Sequence, residues 1–370
     1  MIPMKVLHLN AGNETGGGMH HILSLLNKLN RKEFVLGVLE EGEMLHRARN
    51  LGIETVHFHS PKKLSIPLLK NIVSYIKKER IQIVHTHGPR ANVYAKFLKK
   101  IVSFQWIVTV HSDPFYDFRG KGLYGEILCR VHTNAIKCAD RVIAISTPFQ
   151  QILEEKGVHR EKINTVLNGI DFKKEMLENY VRSDVGYGEA DFLFLMVARF
   201  EKVKRHNLAL IAFSQVVTDH PNCKLLLVGD GSERKQAEAL AEQLGITGYV
   251  HFLGHRQDVE CFYNLADVTM LTSASESFPL VLLESARART PVISTDVGGV
   301  KELIADPSVG FLVEDSNITN AMKDAIFLKK EGKLQVMGEN LHIHASTKFS
   351  LEIFAENIYN VYLDIDNVNG

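Results

Sequence analysis

Cysteine is scarce in this chain. Cys129, Cys138, Cys223 and Cys261 are scattered through 370 residues, with no C-x-x-C pair among them. That spacing fits neither a disulfide framework nor a zinc site, so reduced thiols in a cytosolic protein are expected. No run of about 18 apolar residues occurs, and so no segment is expected to span a membrane. The apolar stretch within Met1–Asn10 is too short for the core of a signal peptide. Net charge is missing too: 43 basic side chains balance 43 acidic ones, which argues against a general nucleic-acid binder. Solenoid repeats and low-complexity tracts are lacking. A 45% hydrophobic composition excludes a disordered or collagen-like chain.

The length suits two domains, at about 150 residues each. The balanced charge hides an asymmetry. Residues 1–180 hold 26 Lys+Arg against 17 Asp+Glu, and the remainder reverses those numbers. The basic excess is densest in 61–100, where Glu79 is the one acid among ten basic residues. Such a surface suits an anionic partner, a phosphate-bearing acceptor or a membrane surface; a solvated helical face is the alternative.

Short apolar runs alternate with longer amphipathic stretches. The pattern predicts strands at Lys5–Leu9, Phe34–Leu39, Ile53–Phe58, Ile81–His85, Ile107–His111, Arg141–Ile145 and Ile163–Leu167. Helices are predicted at Met19–Leu29, Pro67–Lys78, Ala91–Ile101 and Leu123–Ala139. The pattern pauses at 175–191, and an interdomain linker is expected near 183–190. It restarts with strands at Phe192–Val197, Lys224–Val228, Tyr249–Leu253, Val268–Leu271, Pro291–Ser294 and Gly310–Val313. Helices Asn207–Val217, Ser232–Leu244, Leu280–Ala288, Asn317–Glu331 and Ser350–Leu363 accompany them. The expectation is two doubly wound α/β units in tandem, framing a cleft at the carboxyl ends of their strands.

Chemistry-bearing residues recur at those strand ends. Gly16, Gly17 and Gly18 lie at the first strand-to-helix turn, where backbone N–H groups can approach a phosphate, although a plain tight turn is the alternative. His111 ends another strand and can hydrogen-bond a polar ligand. His85 and His87 form an H-x-H, read as structural or acceptor-contacting because no carboxylate or cysteine completes a metal set. Arg199 and Lys204, five apart at a strand exit, can clamp a diphosphate and neutralise a leaving group. Gly229, Asp230, Gly231 and Gly254 follow later strands, and the loop at Gly254 could face a nucleobase. In "ESFPLVLLE", Glu276 precedes a helix beginning near Pro279, and Glu284 lies inside that helix, two turns on from Glu276. One carboxylate can hold sugar hydroxyls and the other a ribose diol, with the helix N-terminus at Phe278–Leu280 turned to phosphates.

These residues resemble the retaining glycosyltransferases of glycosyltransferase family 4, across nearly the whole chain. The resemblance rests on "TVHSD" at His111, "VLNGID" at 166–171, "ARFEKVK", "LLLVGDG", the E-x7-E segment, "PVISTDVGGVKELI" and "GFLV". It implies the GT-B fold, two Rossmann-like doubly wound parallel-sheet domains facing a cleft. Residues 1–183, with a returning helix at 350–366, would form the acceptor-side domain, and 184–349 the nucleotide-sugar domain. It also implies that Arg199 and Lys204 bind the donor diphosphate, that Glu276 and His111 contact the donor sugar, and that Glu284 holds the ribose. Backbone at Phe278, Pro279 and Leu280 would cap the phosphates, with Gly16 and Gly17 closing over them. No metal or other cofactor is implied.

The implied reaction moves a sugar, most readily from a UDP-sugar, to a glycan or lipid-linked acceptor. A cytoplasmic protein with peripheral contact to an anionic membrane is expected. A nucleotide-sugar epimerase of the same fold and a silent nucleotide-sugar-binding protein are the alternatives. Two positions depart from the family pattern: Pro279 stands where glycine is frequent, removing one N–H, and Met19 stands where an acidic residue is frequent. Asp364-Ile365-Asp366, a D-x-D pattern, is read as a solvated tail after the last helix.

Overall fold

Valine, isoleucine, leucine and phenylalanine fill the predicted strands. Continuous apolar runs of this kind suit strands buried on both faces of a parallel sheet. A computed structural model of the chain describes residues 4–13, 16–29, 32–59, 65–111, 122–174 and 180–367. Its first elements are β1 (Val6–Asn10), α1 (Gly17–Leu29), β2 (Phe34–Val38), α2 (Glu43–Asn50), β3 (Thr55–His57), α3 (Ile66–Glu79) and β4 (Ile83–His87). There follow α4 (Pro89–Leu98), β5 (Gln105–Val110), α5 (Gly122–Lys137), β6 (Arg141–Ala144), α6 (Thr147–Glu155) and β7 (Ile163–Thr165). Then come β8 (Phe192–Val197), α7 (His206–Asp219), β9 (Cys223–Val228), α8 (Arg234–Gln243), β10 (Val250–Gly254), α9 (Val259–Leu265) and β11 (Val268–Leu271). The last are α10 (Leu280–Arg287), β12 (Val292–Thr295), α11 (Val300–Leu303), β13 (Phe311–Val313), α12 (Ile318–Lys330), α13 (Lys333–Lys348) and α14 (Leu351–Asn367).

Two units emerge, residues 1–169 with 351–370, and residues 170–350. The first carries a seven-stranded sheet, β3-β2-β1-β4-β5-β6-β7, and the second a six-stranded sheet, β10-β9-β8-β11-β12-β13. Every strand pair among the described residues is parallel. In each sheet the chain builds outward from one strand and then crosses to its other side. The reversals fall between β1 and β4, and between β8 and β11. Crevices at the carboxyl ends of such reversals are where open α/β sheets bind ligands.

The period of two decides which side chains meet in the first unit. Leu7, Leu9, Val84 and Val108 join the core beneath α3 and α4. Val6, Ile83 and Ile107 face the other way and join the core of α1, α2 and α14. His8, His85, His87 and Thr109 keep step with that second set, so the sheet turns a polar row toward α1 and α14. In the second unit, Phe194, Met196, Leu225 and Leu227 pack with α7, α8 and α12.

The structure departs from the expected organisation in three places. Helices α2, α6, α9, α11 and α13 stand where no helix was anticipated. The division between units falls at 169/170 rather than 183/184, and the return at 350/351. The physical reason is that the segment after Gly169 is docked on the second unit. Arg287 donates to the Asp171 carbonyl at 3.3 Å, Lys174 pairs with Glu260 at 2.5 Å and Tyr180 donates to Asp258 at 3.0 Å. Arg182 donates to the carbonyls of Asp191 and Leu265 and pairs with Asp267 at 2.9 Å. Third, Asp364-Ile365-Asp366 is no tail: it lies within α14, with Ile365 buried in the core.

Asp267 holds that docking in place. It pairs with Lys329 at 2.7 Å as well as Arg182, and accepts the backbone N–H of Leu193 at 2.8 Å. Replacing it leaves the nearly buried Arg182 without its counter-charge, which costs about 3 kcal/mol. Asp267→Ala is therefore expected to lower the unfolding free energy of the second unit by that amount. A denaturation midpoint equal to the parent's would exclude this role.

Candidate active site

In the second unit the polar residues gather where β8 and β11 end. The β8 exit carries Arg199 and Lys204, and the β11 exit carries Ser273 and Glu276. Lys204 Nζ meets Glu276 Oε1 at 2.6 Å, and Ser273 Oγ donates to the same oxygen at 2.5 Å. Both charged partners are mostly shielded, so this charge-assisted bond is stronger than a surface pair. Arg199 is placed differently: it is exposed and pairs with Glu201 at 2.8 Å. The two cations share one strand exit, yet each has its own carboxylate.

Backbone bonds lace the two exits together. Ala274 N–H donates to the Val203 carbonyl at 2.8 Å, and Thr272 Oγ1 donates to the carbonyls of Lys204 and Arg205 at 3.1 Å. Arg205 adopts a left-handed backbone with φ 52°, uncommon for a residue with a side chain. Its guanidinium donates back to the carbonyls of Thr272 at 2.7 Å and Ser273 at 2.8 Å and pairs with Asp315 at 2.6 Å. Sequence reading passed over Arg205 and Ser273, because neither belongs to a spaced pair.

Glycines bring the neighbouring loops close. A Cβ on Gly298, where φ is +54°, would fall 2.1 Å from the Glu276 carbonyl oxygen. One on Gly229 would fall 2.0 Å from that of Ala198. Gly229 N–H donates to the Gly254 carbonyl at 2.8 Å, tying the β9 and β10 exits together. Pro279 is buried and occupies the N-cap of α10, which begins at Leu280. Its missing N–H removes nothing from the helix ladder, and its carbonyl accepts the Leu282 N–H at 3.2 Å. The Phe278 side chain is core, its ring 5.2 Å from that of Phe349, so only its backbone is available to a ligand. Glu284, half-buried on α10, accepts the Tyr263 hydroxyl at 2.9 Å. Burial pushes its carboxyl above the usual range, an effect that the Tyr263 bond and the nearby Arg287 charge partly offset.

The first unit presents a neutral counterpart. Gly16 has φ +83°, and Gly17 opens α1. A Cβ on either would meet no described atom within 4 Å, so packing does not require glycine there. Met19 is buried in the core. Residues 112–121, including the serine and aspartate after His111, lie outside the described residues.

His111 directly follows β5 and meets His87, its Nε2 lying 3.0 Å from His87 Nδ1. His87 Nε2 lies 3.0 Å from His8 Nδ1. His21 from α1 stands edge-on to His111, ring centroids 4.5 Å apart, and its Nδ1 bonds Asn168 Oδ1 at 2.7 Å. The ligand-capable nitrogens of His8, His85 and His87, and of His21, His87 and His111, lie within 4.8 Å of one another. Both nitrogens of His87 are already engaged by neighbouring rings. Sequence reading had singled out His85, His87 and His111; His8 and His21 were missed.

Burial dominates the electrostatics of this row. It lowers His8 to about 3 and His21 to about 4, and takes His85, His87 and His111 well below the ordinary imidazole value. The rings are therefore neutral at pH 7. The linkage sign follows: below about pH 6.5 the unfolded chain binds protons that the folded chain refuses, so stability falls as pH falls. Each ring removes up to about 1.4 kcal/mol per pH unit in that window. The first unit is expected to unfold near pH 5, ahead of carboxylate titration. Trp106, the one tryptophan, is fully buried in that unit and reports it. A Trp106 emission maximum that stays blue at pH 4.5 would refute the argument.

Comparison with known proteins bears on family and fold. Residues 15–174 match the family model described as Glycosyltransferase Family 4, and residues 181–342 that of Glycosyl transferases group 1. The N-acetyl-alpha-D-glucosaminyl L-malate synthase of Bacillus anthracis is 31% identical over 329 residues, covering 87% of this chain and 77% of that one. An Escherichia coli UDP-Gal:alpha-D-GlcNAc-diphosphoundecaprenol alpha-1,3-galactosyltransferase is 24% identical, covering 81% of each. Among solved structures, Anabaena Alr3699/HepE in complex with UDP-glucose superposes with a TM-score of 0.84 at 21% identity, covering 98% of this chain and 100% of that one. The chain belongs to the group 1, family 4 glycosyltransferases and has two Rossmann-like parallel-sheet domains of the GT-B kind.

Proposed function

We propose that this glycosyltransferase retains anomeric configuration and moves a hexosyl or acetamidohexosyl group from a UDP-sugar. Its acceptor is a glycan or lipid-linked saccharide of a cell-surface polysaccharide or glycoconjugate. The observation that carries the reading is the Lys204–Glu276 pair at the β8/β11 reversal, with Glu284 in the second turn of the next helix. Lys204 and Arg199 neutralise the diphosphate, and Glu276 and His111 hold the sugar. Glu284 accepts the ribose hydroxyls, and Gly254 borders the base. Gly16, Gly17 and the backbone from Phe278 through Pro279 to Leu280 approach the phosphates. The bond from the anomeric carbon to the diphosphate breaks, the acceptor oxygen bonds that carbon from the same face, and the leaving phosphate oxygen takes the acceptor proton. In this reading no side chain is the nucleophile and no metal is required.

The coupling of Lys204 to Glu276 matters to this chemistry. One ammonium both orients the carboxylate assigned to the sugar and faces the charge that develops on the leaving group, so binding and departure share one preorganised contact. Acceptor approach on an anionic membrane is supported by the exposed Lys70, Lys77, Lys78 and Lys100 of the first unit. None of the described helices is long and apolar enough to cross a membrane.

The test is a screen of UDP- and GDP-sugars for slow hydrolysis, with EDTA present and no acceptor. One UDP-sugar is expected to turn over. Lys204→Ala is expected to lower kcat by about 100-fold or more, and Glu276→Ala to abolish turnover, with both variants folded. Requirement for a divalent ion, or a glycosyl group trapped on a side chain, would overturn the mechanism. Binding without turnover, even with acceptors supplied, would favour a silent nucleotide-sugar-binding protein, and inversion at a sugar carbon an epimerase.

A further inference from the structure

His8, His85, His87 and His111 of the first unit do not form a loose cluster. They form one unbranched chain of hydrogen bonds. Thr109 Oγ1 lies 2.7 Å from His85 Nε2, and His85 Nδ1 lies 2.7 Å from the Tyr362 hydroxyl. That hydroxyl lies 3.0 Å from His8 Nε2. His8 Nδ1 then meets His87 Nε2 at 3.0 Å, and His87 Nδ1 meets His111 Nε2 at 3.0 Å. The members come from β1, β4, β5 and α14. His8, His85, His87 and Thr109 are buried, and so is Tyr362. His111, half-buried, is the end that faces outward.

A neutral imidazole has one N–H and one lone pair. Burial keeps these rings neutral. Each internal ring must therefore donate on one side and accept on the other, and the tyrosine hydroxyl, with its single hydrogen, does the same. The whole chain has one direction. Either every bond donates toward His111, or every bond donates toward Thr109.

The buried end chooses between them. Among the described residues, Thr109 Oγ1 has one hydrogen-bond partner, His85. If the chain ran toward Thr109, His85 Nε2–H would donate to that oxygen, and the threonine O–H would be a buried donor with no acceptor. Such donors are costly and rare. If it runs toward His111, every hydrogen finds a lone pair. Thr109 donates to His85 Nε2, His85 Nδ1–H to Tyr362, and the Tyr362 hydroxyl to His8 Nε2. His8 Nδ1–H then donates to His87 Nε2, and His87 Nδ1–H to His111 Nε2. His111 is left with its own hydrogen on Nδ1.

We propose that Thr109 and Tyr362 are positioning residues that fix His111 as its Nδ1–H tautomer, so that it offers a bound ligand a hydrogen-bond donor and no base. The assignment deepens the reading of His111 as a donor-sugar contact, and its functional consequence rests on that reading. The ring recognises an oxygen lone pair, such as a sugar hydroxyl or ring oxygen. It does not take the acceptor proton, because its Nε2 is already occupied by the His87 N–H. The inner end of the chain is buried, so the chain is a holder of tautomer rather than an exit for protons. His21 is outside it: donation to Asn168 Oδ1 uses its Nδ1–H, and its ring only borders His111.

Imidazole nitrogen NMR on the full chain, labelled with 15N-histidine at pH 7.5, tests this without relying on activity. His8, His85, His87 and His111 are expected as Nδ1–H tautomers, the form that free imidazole side chains disfavour in water. Single replacements of each ring assign the signals. An Nε2–H signal for His111 in the parent protein overturns the proposal, whatever the enzyme turns over. Tyr362→Phe keeps the ring and deletes only the hydroxyl link, releasing His8, His87 and His111 from the anchored end. Its His111 is expected to shift toward Nε2–H. UDP-sugar hydrolysis should fall in proportion to the remaining Nδ1–H fraction, about tenfold if one part in ten remains. A His111 tautomer unchanged in folded Tyr362→Phe also overturns the proposal. If the tautomers are as expected but no nucleotide sugar is hydrolysed with or without acceptor, the assignment of function fails and the tautomer assignment stands.

Discussion

Parallel pairing is the constraint on which the rest of this structure depends. When every strand points the same way, all carboxyl ends arrive at one edge of the sheet, and every crossover must pass over a face. Each unit therefore has two apolar faces covered by helices and one edge free for chemistry. In the second unit that edge carries Arg199, Lys204, Glu276 and the start of α10. In the first it carries the glycine turn before α1 and His111. The apolar runs that make the strands and the polar residues that end them are two consequences of one pairing rule.

The two edges solve the electrostatic problem in opposite ways. The second unit uses full charges in matched pairs. Lys204 is compensated by Glu276, and Arg205 by Asp315. Charges so arranged need only exchange partners when an anion arrives, which costs less than desolvating a new one. The first unit uses no charge at all in its row. Five imidazoles stay neutral because burial disfavours protonation, reinforced in His8, His85, His87 and His111 by neighbouring rings, and their hydrogen bonds replace charge as the source of order. A neutral polar row can lie inside a sheet face where a charged one could not.

Much of this was legible in the sequence, and the failures have specific physical causes. Strand–helix alternation gave both sheets, since apolar runs bounded by turn residues depend on local pattern alone. Arg199 and Lys204 follow β8, Glu276 follows β11 and Glu284 lies inside α10, in the local settings that the sequence pattern gave them. The helix α13 was missed although Leu334, Met337, Leu341 and Ala345 recur at helical spacing. Histidines and β-branched residues interrupt that stripe, and tertiary packing rather than propensity holds the helix. The stretch near 183–190 was read as a linker because the composition around it is polar. The described residues Lys174, Tyr180 and Arg182 before it are held by Glu260, Asp258 and Asp267, partners some 80 residues away that no local window contains. The D-x-D pattern misled for the converse reason: Ile365, between the two aspartates, is the residue that matters, and only the fold buries it.

The histidine row marks the deeper limit of local reading. Each of its bonds joins residues from different elements, and the link from His8 to Tyr362 spans 354 residues. Yet a partial signal was present. On parallel strands in register, His8 lies opposite His85 and Asn10 opposite His87, and the period of two sends His8, His85, His87, Thr109 and His111 to one face. A strand position that is polar where its neighbours two residues away are apolar requires a partner on that same face. Polar residues that keep strand phase across several predicted strands therefore imply one shared network, and the helix that covers them must supply whatever hydrogen bond they lack. Here α14 covers the row, and Tyr362 supplies the hydroxyl between His85 and His8.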